Sequence, residues 1–187
     1  MTSVGSQGVP TDPAADQAER AVQALADGLA SAGWRMAPGA AGAPWRFVAR
    51  TSEFRWRWMA TRLHTFVFGI PLRGGEDIPW LDAQLAAAAT YARANKGGLP
   101  AGFQTGSAVV LVGLGSGLSP DVRAWAARVH GRQFATMTHP VLGDVSTGEL
   151  LEPARPTMGV VYYSHLHEVV SRFVRPVVAQ HGGTSGA

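Results

Sequence analysis

The chain changes its hydrophobic period several times, and each change marks an element. Val22, Leu25 and Leu29 recur at helical spacing, with Asp16 placed to cap the helix and Gly33 to close it. After the loop from Pro38 to Pro44 the period shortens. Three extended segments are predicted, Trp45 to Thr51, Glu53 to Met59 and Leu63 to Leu72, rich in aromatic and β-branched residues. In the second, Phe54, Trp56 and Trp58 alternate with Arg55 and Arg57, so one face is aromatic and the other guanidinium. Pro79 to Lys96 carries Leu81, Leu85, Ala88 and Ala92 on one helical stripe. Ser107 to Gly113 is wholly apolar after its first residue, as expected of a buried parallel strand.

Ser119 and Pro120 form an N-cap and first-turn pair for a helix through Val129, and Phe134 to Val141 reads as a further strand. Gly159 to Tyr163 is predicted as a last strand, Ser164 as the cap of a last helix, and Pro176 as its kink or end. The result is an α/β (α+β) domain: a mixed sheet in which an antiparallel three-stranded meander is followed by a βαβ crossover, with helices on the sheet faces. This order of elements resembles that of the restriction-endonuclease-like core. The domain is expected over residues 15–181, between flexible tails at 1–14 and 182–187.

Composition narrows the chemistry. The 187 residues hold no Cys, which removes disulfides, thiolate nucleophiles and Cys-ligated metals. No apolar run is long enough to cross a membrane, and the first residues lack the charge and apolar core of a signal peptide, so a soluble cytoplasmic protein is expected. The net charge of +3 is unevenly spread: residues 34–73 carry seven Arg against Glu53 alone, and four of the six Trp. Arg46, Arg50, Arg55, Arg57 and Arg62 interleave there with Trp45, Phe47, Phe54, Trp56 and Trp58. On a sheet this gives guanidinium groups over an aromatic floor, a surface suited to phosphates, stacked bases or carboxylates. The plainer account makes the aromatics core and the arginines a solvated face.

Other constellations are weaker. Gly113-Leu114-Gly115-Ser116-Gly117 joins a strand to a helix, where glycine-rich turns cradle phosphates; the late helix start at Ser119-Pro120 favours a plain connection, with Gly113, Gly115 and Gly117 kept as ligand-binding candidates. His165 and His167 are two apart and point to opposite sides of a helix, so they do not chelate one metal. His64, inside an apolar strand, and His139, near a strand end, are the acid–base candidates. Two functions follow. The first is an accessory or binding protein that engages an anionic ligand, a nucleic acid or a protein partner through the basic sheet segment. The second is a small enzyme with a histidine acid–base residue in a pocket at the strand ends. No cofactor, metal or membrane association is expected, and the aromatic meander leaves self-association into a homo-oligomer open.

Overall fold

The computed structural model describes residues 12–55, 61–97, 105–128, 136–153 and 160–182. Six strands form one sheet in sequential order: β1 (Arg35–Pro38), β2 (Phe47–Arg55), β3 (Thr61–Pro71), β4 (Thr105–Gly115), β5 (Thr136–Asp144) and β6 (Glu149–Leu151). The first three strands are an antiparallel meander; β3, β4 and β5 are mutually parallel, and β6 returns antiparallel to β5. The two parallel steps are made by α2 (Ile78–Asn95) and α3 (Pro120–Ala127). Both crossovers run in the same direction across the sheet, so a common hand puts both helices on one face. Their apolar stripes meet Phe66, Phe68, Val109, Leu111 and Leu142 there.

The other face is covered by α1 (Pro13–Ser31) and a C-terminal helical rod: α4 (Val160–Val169), a π-helical segment over Val170–Val174, and α5 (Arg175–Gly182). Val22, Leu25 and Leu29 of α1 pack with Val170, Val174 and Val178 of the rod against Val67, Val110 and Val141. The alternation of a strand therefore decides which helical layer each side chain meets.

Several boundaries differ from the expectation, each for a physical reason. Helix α1 starts at Pro13, because Asp12 ahead of it accepts the amide of Ala14 at 3.0 Å. The meander begins with Arg35–Pro38, and β2 runs through Ser52 without a break, because pairing with β3 is continuous from Phe47 to Arg55 and Ser52 sits opposite His64 within it. Of the expected aromatic strand, Glu53 to Arg55 belong to the end of β2; Trp56 to Met59 lie outside the described residues. The last strand is Glu149–Leu151, whereas the backbone of Val160 to Tyr163 is helical despite its β propensity and opens the helix that continues into the rod. Pro176 does not end the rod; the wider π turn immediately ahead of it accommodates the ring and the missing amide. Among the described residues no helix is long and apolar enough to cross a membrane.

Candidate functional site

A concave feature with convergent polar groups lies on the α1 face, where the rod passes over the end of β2. A cavity of about 150 Å³ is lined by Trp34, Thr51, Glu53, His165, Glu168, Arg172 and Phe173, with Ala32 and Val169. Each wall follows from local structure. Gly33, at φ 83°, turns the chain out of α1 and delivers Trp34, whose amide donates to Leu29 O at 3.1 Å. Thr51 and Glu53 alternate in phase with the buried Phe47 and Ala49, which places them on the same face as α1. His165, Glu168 and Arg172 recur three and four residues apart along one side of the rod.

The cavity is rigid at its floor and aromatic at its side. Thr65 Oγ1 of β3 lies 3.0 Å from His165 Nε2, a buried contact that fixes the imidazole. Trp34 and Phe173 meet edge to face with centroids 5.9 Å apart, and the Arg172 guanidinium sits 5.2 Å from the Phe173 ring centroid. Among the described residues no carboxylate stands within ion-pair distance of Arg172, in contrast to Arg46, Arg73, Arg123 and Arg175. Its place in a π-helical segment is the kind of helix distortion that recurs at functional sites.

On the opposite side of the rod is a half-buried ionic hub. Glu152, just past β6, takes Arg175 Nη2 at 3.0 Å on Oε1. Its Oε2 lies 3.5 Å from both His139 Nε2 and His167 Nδ1. His139 is 3% exposed, and its ring meets Tyr163 edge to face at 5.5 Å. Tyr163 in turn donates to Pro153 O at 3.1 Å. Burial alone would raise the Glu152 carboxyl; the contacts with His139 and His167 more than offset it and hold the group below the ordinary carboxylate range.

The residues singled out in the sequence are distributed differently. Arg46 forms a two-point ion pair with Glu19 of α1, its Nε donating to Oε2 at 2.8 Å, and Arg73 reaches the same carboxylate. The Glu19 carboxyl is held below its usual range, chiefly by the hydrogen bond from Arg46. Arg50 points to the other helical layer, donating to Asn95 O at the end of α2 at 2.8 Å. Arg46 and Arg50 thus diverge to opposite faces and do not share a surface. The backbones of Arg55 and Arg62 close the β2–β3 ladder, opposite Thr61 and Phe54; Trp56 and Arg57 lie outside the described residues.

His64 and His139 also lie on opposite faces. His64 points toward the α2–α3 layer, where it shares a transverse row with Ser107 and Thr136 on the two neighbouring parallel strands. The hydroxyls of Ser107 and Thr136 are buried and have no hydrogen-bond partner among the described residues. Gly115 lies eight residues along β4 from that row, about 26 Å at the usual strand rise, so the glycine turn and His64 do not meet. Gly113 and Gly115 are packing glycines: a Cβ would stand 2.7 Å from Leu142 Cδ2 in the first case and 2.7 Å from Leu72 Cβ in the second. Gly117, at φ 66°, gives its amide to Asp144 at 3.3 Å, as Leu118 does at 3.2 Å.

Arg172 escaped the sequence reading because a π turn has no residue signature, and Trp34 and Thr51 because only the tertiary packing of β2 and α1 under the rod brings them to it. No family model, curated protein or solved structure matches the chain, so the geometry of the site carries the functional argument.

Proposed function

We propose that the protein binds a small zwitterion, a molecule with one carboxylate and one ammonium group, in the cavity beneath the C-terminal rod. The observation that carries this reading is Arg172, a guanidinium stacked on Phe173 at a cavity wall that also holds Glu168 and Thr51. Arg is the cation that grips a carboxylate in two-point fashion. Glu168, one turn away on the rod, suits the ammonium group, so a ligand of both signs complements the walls better than a simple anion. The volume matters too. A cavity of about 150 Å³ suits a small ligand better than a large one.

This keeps the recognition of anionic groups expected from the Arg-rich composition and moves it from the meander to the rod. The order of elements that resembles the restriction-endonuclease-like core adds no chemistry by itself. An acid–base enzyme is the second reading, carried by His165, the imidazole that lines the cavity. The two readings separate on whether the bound ligand is returned unchanged, which NMR of the ligand after incubation decides.

The test is calorimetric titration with small amino acids and with their halves, acetate and methylammonium. Saturable binding of a zwitterion, tighter than either half and lost in Arg172→Ala, supports the reading. Absence of saturable binding across the set, or equal binding by Arg172→Ala, overturns it.

A further inference from the structure

The rod presents two faces, and one residue on the sheet side ties down the turn between them. The π-helical segment Val170–Val174 is bracketed by His167 and Arg175, and both reach the same carboxylate, Glu152, through different oxygens. In a regular α-helix, residues eight apart are rotated by about 80°, which splays their side chains apart. A single π turn absorbs one extra residue, so the pair behaves as if seven apart and falls back to within about 20°. The same extra residue sets the direction in which Arg172 and Phe173 leave the rod, and that direction is the cavity.

From this geometry we infer that Glu152 is a positioning residue for the cavity: by holding His167 and Arg175 together it maintains the π turn that aims Arg172. The role in ligand binding rests on the reading proposed above; the control of the π turn does not. The charged and titratable groups that face Glu152 are His139 from β5, His167 from α4 and Arg175 from α5. Tyr163 closes the set by packing on His139 and bonding to Pro153, the residue after Glu152. The anchor is shielded from water, with His139 buried in the sheet and Glu152 15% exposed. Its 3.5 Å contact is electrostatic, since among the described residues neither His139 Nε2 nor Glu152 Oε2 makes a hydrogen bond. None of these groups lines the cavity, so Glu152 acts at a distance, through the helix.

The experiment is amide hydrogen exchange on the full chain, comparing wild type with Glu152→Gln, which keeps the volume and removes the charge. The expected result is exchange at least tenfold faster for the amides of Val170 to Val174 and the turn that follows, with α1 and β2 unchanged. A companion titration with the same zwitterion set is expected to show about tenfold weaker binding, although the variant touches no cavity residue. Should Glu152→Gln not fold, Arg175→Met and His167→Asn each remove one contact at the exposed surface of the rod, and either is expected to give the same local acceleration. Unchanged exchange at Val170 to Val174, or a uniform loosening of the whole sheet, overturns the inference. If no zwitterion binds the wild type, the exchange result still decides whether Glu152 holds the π turn.

Discussion

Asp144, fully buried at the end of β5, accepts the amide of Gly117 at 3.3 Å from the turn that leaves β4. The same carboxylate accepts the amides of Leu118 and Ser146, the Ser146 hydroxyl and, at 2.6 Å, the guanidinium of Arg123. The glycine turn that resembles an anion cradle therefore holds an anion that the chain itself supplies.

Asp144→Ala is expected to destabilise the protein by about 2–4 kcal/mol, because buried amides and a guanidinium lose their acceptor together. Urea unfolding measures it. Added acetate is expected to restore part of the loss by entering the vacated place; a cost under about 0.5 kcal/mol contradicts the structural role given to Asp144.

The glycines of this turn are predicted to differ from one another. In Gly113→Ala the new methyl meets the far end of the Leu142 side chain, which can yield, whereas in Gly115→Ala it meets Leu72 Cβ and, at 3.0 Å, the Leu72 carbonyl oxygen. Both variants lose stability to overpacking, about 1–3 kcal/mol, with Gly115→Ala the more damaging. Thermal melts of the two variants side by side check the order.

Acid sensitivity follows from Asp144 and Glu152. Burial raises each carboxyl, but hydrogen bonds from Ser146, Leu118 and Gly117 to the first, and His139 and His167 beside the second, bring both below their ordinary 3.8 and 4.5. The unfolded chain then binds more protons than the native one, so stability rises with pH through this range. The contribution is fully present above about pH 4.5 and is lost as pH falls through the lowered values. Urea midpoints measured along an acid series are expected to fall more gently in Glu152→Gln than in wild type.

Ser107→Ala and Thr136→Val test the transverse row beside His64. Each removes a buried hydroxyl without a partner, so stability is expected to hold or to rise by up to about 1 kcal/mol. A loss above about 1 kcal/mol in either variant would show that the hydroxyl bonds to water or another group.

The fold was legible wherever local pattern and tertiary context agree. The crossover helices show their apolar stripes, the second also its Ser119 cap, and Ser107 to Gly113 reads as a buried strand because every residue after Ser107 is apolar. The pattern misled at Val160 to Tyr163, whose β-branched and aromatic residues favour a strand by themselves but whose backbone is the first turn of a longer helix. The candidate site was less legible. Arg46 and Arg50 are neighbours in sequence, yet one bonds to α1 and the other to α2. Arg172 carried no local mark because its direction depends on a π turn and on Glu152, twenty residues earlier.

Helix α1 and helix α5 lie side by side, with Gln17 Nε2 donating to His181 O at 3.2 Å and to Val145 O at 3.1 Å. On the ribosome α1 emerges before the sheet it packs on, and β3 and β4 cover most of its apolar stripe before α5 is made. Only the edge of α1 around Gln17 waits for α5, so a nascent chain stalled ahead of Arg175 is expected to leave that edge uncovered while the rest of the helix is docked.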